Sequence, residues 1–140
     1  VMLVQYNTNN ILGPLKGKIG PYPFEISRDR ITDEQAEVEF INPKDSLLHF
    51  PNEITKHDFK DWVQERSIYQ AGITDSHYRT LFQMNDPKQE PNEGSLIATN
   101  FGKGRFIYTG LVFFREIPAG VPGAYRLLAN LLANPNSKLK

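Results

Sequence analysis

Apolar residues in this chain come in short runs punctuated by turn residues, a pattern of strands more than of long helices. Val1 to Tyr6 is an apolar run closed by Asn7-Thr8-Asn9-Asn10, which predicts a buried strand ending in a turn. Positions 11 to 23 hold three glycines and three prolines, a loop composition. Phe24, Ile26 and Arg28 alternate with Glu25 and Ser27, and Val38-Glu39-Phe40-Ile41 is stopped by Asn42-Pro43, so each predicts a short strand. Thr55, followed three residues later by Asp58, signals a helix start that puts Phe59 and Trp62 on one face. Arg66 to Gln70 and Tyr78 to Met84 are further short strand candidates, and Asn85 to Gly94 is a polar loop.

The clearest local structure lies near the end. Ser95 to Thr99 and Arg105 to Thr109 are two strands joined by the tight turn Asn100-Phe101-Gly102-Lys103-Gly104, a β-hairpin. Gly123 to Ala133 then predicts a helix with Pro122 in its first turn. Its apolar stripe runs through Tyr125, Leu128 and Leu132, widened by Leu127 and Leu131. Asn134-Pro135 ends it. The division expected is one domain over 1–134 followed by a polar tail over 135–140.

Composition narrows the chemistry. The chain has 140 residues, enough for one core. Its 16 basic and 16 acidic residues balance, which argues against a nucleic-acid partner. With no cysteine, thiolate nucleophiles, disulfides and cysteine zinc sites are excluded. No apolar run reaches the ~20 residues of a membrane span.

Gly102 to Gly110 followed by Pro122 to Leu132 resembles the last third of class I glutamine-amidotransferase-like domains, including ThuA-like proteins and the middle domain of some β-galactosidases. Val4 to Thr8, Gly20 to Pro23, Ser27 to Thr32, Trp62 to Arg66 and above all Phe114 to Ala124 look most like the domain that follows the deacetylase module in large bacterial PIG-L (LmbE-like) proteins. The resemblance implies an α/β fold: the C-terminal part of a flavodoxin-like, glutamine-amidotransferase-like parallel sheet, with a β-hairpin and a C-terminal helix. It further implies that the early strands precede Val1, that this N-terminal part of its own polypeptide is a partner, and that the open sheet edge favours a homo-oligomer. A periplasmic or secreted setting and a carbohydrate ligand are implied in the same way.

The amidotransferase triad needs a cysteine on a strained turn with a histidine and a carboxylate behind it. Tyr6-Asn7-Thr8 stands where the nucleophile is expected, and Leu111 to Phe114 where the histidine is expected. No catalytic residue, metal ligand or cofactor is therefore assigned. His49, His57 and His77 fit no zincin spacing, though His57-Asp58 could pair a base with its carboxylate. Gly102-x-Gly104 lies between two strands and is no dinucleotide signature.

A polar pocket of Tyr6, Asn7, Arg115 and Glu116 at the carboxyl end of the sheet is the candidate ligand site, against a plain Arg–Glu surface pair. The loop from Gly120 to Gly123 could offer backbone N–H groups to an anion. Trp62, Tyr69, Tyr78 and Phe82 could form a sugar-stacking platform. Asp29-Arg30 and Glu65-Arg66 are expected as loop-pinning ion pairs.

The resemblance thus implies a non-catalytic accessory domain of a larger carbohydrate-directed hydrolase, of the zinc-dependent N-acetylglucosaminyl deacetylase type. The alternatives are a divergent hydrolase with its site near Asn7, Arg115 and Glu116, and a purely structural oligomerisation module.

Overall fold

A computed structural model describes residues 1–7 and 19–134. The turn at Thr8 to Asn10, most of the glycine- and proline-rich loop and the polar tail from Pro135 lie outside the described residues.

The predicted hairpin is the frame of the molecule. Strands β1 to β10 are Met2–Gln5, Phe24–Ile26, Arg30–Ile31, Glu39–Phe40, Ser67–Ile68, Ala71–Thr74, Arg79–Thr80, Phe82–Gln83, Leu96–Phe101 and Gly104–Thr109. β9 and β10 pair antiparallel, with Gly104 opposite Phe101 and Thr109 opposite Leu96. The connection is two residues, Gly102-Lys103, tighter than the five-residue turn expected. Gly102 makes it possible by taking φ 55°, a left-handed conformation that costs a residue without Cβ little.

Four strands form the main sheet in the order β1-β10-β9-β7. β1 runs parallel to β10, while β10–β9 and β9–β7 are antiparallel. Three two-stranded ladders, β2–β6, β3–β5 and β4–β8, accompany it. The fold is mixed α/β with a single parallel pair among the described strands, where a parallel sheet was expected. β1 is also less covered than a buried strand: it is an edge strand in the described sheet, with Met2 59% exposed and Leu3 to Gln5 half-buried.

The pleat sends alternate residues to two cores. Leu96, Ala98 and Ile107 join one core with Leu127 and Leu131. Ile97, Phe106 and Tyr108 join another with Phe24, Ile26, Tyr69 and Tyr78. Burial on both faces explains why Leu96-Ile97-Ala98 reads as continuous apolar sequence, without alternation. The second core is an aromatic cluster: the Phe24 ring lies 5.0 Å from Tyr108 and 5.5 Å from Tyr78, centroid to centroid.

Two α-helices follow the hairpin, α1 (Phe113–Glu116) and α2 (Pro122–Leu132). Pro122 opens α2 as expected, but the buried face is rotated. Ala124, Leu127, Asn130 and Leu131 face inward, whereas Tyr125 and Leu132 are 49% and 57% exposed. Asn130 sets this rotation. Fully buried, it accepts from Asn52 N (2.8 Å) and donates to the carbonyls of Leu47 and Asn52 (2.8 Å each). Those bonds hold α2 against the 3₁₀ turn Ser46–Leu48 and the segment after it.

A second 3₁₀ turn, Lys56–Phe59, starts at Thr55 as predicted. Asp58 accepts from Thr55 N (2.9 Å) while Thr55 Oγ1 accepts from His57 N (3.3 Å), completing the capping box. Phe59 and Trp62 then pack 5.2 Å apart in the core.

Candidate functional site

β1 and β10 run the same way with Gln5 opposite Thr109, so Tyr6-Asn7 and Gly110-Leu111 leave the sheet at the same end. The Gln5 side-chain amide donates to the Leu111 carbonyl and ties the two exits together. Tyr6 is half-buried, its ring packed edge-on to Tyr69 at 5.1 Å. Tyr69 holds φ 55° and accepts the Tyr108 hydroxyl on its carbonyl. Asn7 is exposed. Thr8, the last residue of the segment where the nucleophile is expected, is outside the described residues. Leu111, Val112 and Phe113 are buried in the core.

Arg115 and Glu116 sit on α1, yet they do not pair with each other. Arg115 Nε donates to Glu65 Oε1 at 2.7 Å, and Arg30 Nη2 donates to Glu65 Oε2 at 2.6 Å. Glu65 is 1% exposed, so one buried carboxylate is bracketed by two half-exposed guanidinium groups. This clamp joins β3, the chain before β5, and α1. It also corrects both expected ion pairs: Arg30 pairs with Glu65 where Asp29 was expected. Arg66 is buried, donates to the carbonyls of Ala36 and Phe59, and lies over the Phe59 ring.

Glu116 is fully buried, and both its oxygens accept from Val63 N, at 3.2 and 2.9 Å. Burial pushes its carboxyl up to about 7, against the Val63 N–H and the positive charges of Arg66 and Arg115. A carboxyl poised there has the proton affinity of a general acid or base. Glu116, however, has no exposed surface and is bonded to the backbone it supports. The structure thus distributes the four candidates into separate environments: Tyr6 on Tyr69, Asn7 in solvent, Arg115 on Glu65, and Glu116 under Val63. None of the four lines the clefts at the hairpin tip, beside Pro91 or beside Val63.

The other candidates resolve in the same manner. Trp62, Tyr69, Tyr78 and Phe82 are 3%, 7%, 7% and 0% exposed, so these rings form cores and present no stacking platform. Asp58 takes Arg126 Nε at 2.7 Å besides its capping bond, leaving His57 without it as an orienting carboxylate. His49 bonds Glu53 and the Pro43 carbonyl, while His77 bonds Asp75 and stacks on Tyr22 at 3.9 Å. Among the described residues no group of three histidines or carboxylates is placed to hold a metal. In the loop before α2 the N–H groups of Gly120 and Val121 already donate to the Ile117 and Glu116 carbonyls (3.1 Å each), and the Asp58 carbonyl packs so close to Gly123 that an added Cβ would stand 1.8 Å from its oxygen.

Two features were not anticipated from sequence. Beside Gly110, whose Cβ position lies 3.3 Å from the Gln70 Cα, the amide of Gln70 is buried without a hydrogen-bond partner among the described residues, as are the hydroxyls of Ser67 and Ser95. At the other end of β10, the hairpin tip separates two clefts. One is apolar, lined by Met2, Ile19, Pro21, Phe101 and Phe106, and the other carries Arg79, Lys103 and Arg105. Strand register is the signal that places these basic residues together, and it requires knowing the partner of β9.

Comparison with protein-family models, with curated proteins and with solved structures gives no match.

Proposed function

We propose that this chain is a non-catalytic accessory domain, acting in interaction or in positioning a carbohydrate substrate, within a larger carbohydrate-directed hydrolase of the zinc-dependent N-deacetylase type. In this reading the mixed sheet, hairpin and α2 are the C-terminal part of a glutamine-amidotransferase-like fold, and early strands of the same polypeptide complete it. The observation that carries the proposal is the use of charge at the carboxyl end of the parallel pair. Glu65, Arg30 and Arg115 form a closed clamp, and Glu116 caps Val63. Groups so engaged serve the fold before any substrate, and the motif resemblance supplies the carbohydrate context.

The test is turnover and binding measured on one sample. The chain is expected to leave N-acetylglucosamine oligosaccharides unhydrolysed while binding them in a nuclear magnetic resonance titration. Hydrolysis that disappears in Glu116→Gln, with folding retained, overturns the proposal in favour of a divergent hydrolase. A second reading, a structural oligomerisation module, is favoured by the exposed apolar residues Val1, Met2 and Phe101 around the apolar cleft. Mass that rises with concentration, without glycan binding, would select it.

A further inference from the structure

We propose that the cleft between the hairpin tip and the carboxyl end of α2 is a binding site for a small oxyanion-bearing molecule, gripped by Arg79, Lys103 and Arg105. The site lies at the opposite end of β10 from Tyr6 and Glu116, and it does not depend on the accessory-domain reading.

Register brings the basic residues together. Ala98 and Asn100 are two apart on β9 and share the face that packs on α2. Arg79 of β7 lies opposite Ala98, and Arg105 of β10 lies opposite Asn100. The apolar core on this face ends at Ala98 and Ile107. Beyond it opens a cleft of about 560 Å³, lined by Ser46, Arg79, Asn100, Lys103, Arg105 and Asn134. That volume is within the ~300–1,000 Å³ of small-molecule sites.

The local charges do not cancel. Arg79 Nε bonds Asp45 Oδ2, and the other Asp45 oxygen accepts from Leu47 N at 3.0 Å. Arg105 spends one Nη on the Ala133 carbonyl at 2.6 Å, at the end of α2, and its buried Nε has no partner among the described residues. Lys103 has no carboxylate within 4.0 Å among the described residues. Three cations thus meet one carboxylate whose two oxygens are already engaged. Burial, then repulsion by Arg79, holds the Arg105 guanidinium below its ordinary value, with Asp45 opposing.

In a chain of net charge zero, this is a concentrated positive surplus in a concave site, where field focusing is strongest. Guanidinium donors match the spacing of carboxylate and phosphate oxygens, and an oxyanion between Arg79 and Arg105 would relieve their repulsion. Ser46 and Asn100 add neutral hydrogen-bonding groups suited to hydroxyls beside the anion.

The experiment is a titration of ¹⁵N-labelled protein at low salt with glucose, glucuronate and glucose 6-phosphate, compared with chloride at matched ionic strength. Expected are saturable shifts at Gly102 to Arg105 and Arg79 with at least one sugar anion and none with glucose. A response to glucuronate alone identifies a carboxylate ligand, and a response to glucose 6-phosphate alone identifies a phosphate. Lys103→Gln, an exposed turn substitution, should weaken binding roughly threefold without altering the fold. Arg105→Gln should abolish binding, but it also removes a contact to α2, so the Lys103 variant decides. The proposal is overturned if neither anion exceeds the glucose or chloride response. It is equally overturned if Lys103→Gln leaves the affinity unchanged.

Discussion

Replacing Glu116 with glutamine should remove most of the pH dependence of stability between pH 5.5 and 8.5. In the unfolded chain this carboxyl titrates at its ordinary 4.5, and in the folded protein at about 7, chiefly because it is buried. The folded state therefore holds the proton more tightly. The stability this contributes is fully present below the unfolded value and is lost as pH rises through the folded one. For a shift of that size, the loss between pH 5.5 and 8.5 is about 2 kcal/mol. Glutamine keeps an acceptor for Val63 N and carries no titrating proton.

Urea unfolding followed by the fluorescence of buried Trp62 measures the effect. The wild-type midpoint should fall with rising pH, and Glu116→Gln should flatten the curve. Asp75, Asp86 and Glu37 are all held below the ordinary carboxylate range and stay ionised throughout this window. His49 is raised, first by Glu53 and then by the Pro43 carbonyl, so it loses its own contribution in the same direction as the imidazole deprotonates. His49→Gln serves as the control for that exposed group. A wild-type midpoint that is flat or rises from pH 5.5 to 8.5, or an unchanged slope in Glu116→Gln, would refute the reasoning.

Three further outcomes follow from the packing. Gly123→Ala drives a methyl to 1.8 Å from the Asp58 carbonyl oxygen and should destabilise by about 3 kcal/mol or more, read as a drop in thermal midpoint. Asn130→Ala strands Asn52 N and two carbonyls and should cost about 2–3 kcal/mol in urea unfolding, with hydrogen exchange faster at Asn52. Glu65→Ala should cost about 1–2 kcal/mol, and a double-mutant cycle with Arg30→Ala should return a coupling of about 1 kcal/mol.

Local signals in the sequence carried the hairpin, the capping box at Thr55 and the start of α2 at Pro122, because turn and cap chemistry is written in neighbouring residues. Other elements depend on distant partners. β6 contains Gly72 and shows no alternation, and it becomes a strand by pairing with β2, Phe24 opposite Thr74. α1 is four residues between a strand exit and Pro118, too short to show a period. The face of α2 was misread because burial there centres on Asn130, a polar residue whose partners lie 78 and 83 positions away. The surroundings of the candidate site depend on distance in the same way: Arg115 and Glu116 are adjacent in sequence, but their partners Glu65 and Val63 are 50 and 53 positions back. Adjacency on a helix separates side chains, and only the fold supplies their true neighbours.

The parallel pairing of Leu3 with Ile107 has a kinetic corollary. The β9–β10 hairpin can zip within microseconds from its two-residue turn. β1 must instead be recruited across about three-quarters of the chain, at a closure entropy of about 4 kcal/mol. The outer backbone edge of β10 is consequently a late-filled slot during refolding, vacant while the aromatic core beneath it assembles, and open in that interval to any extended segment that arrives first.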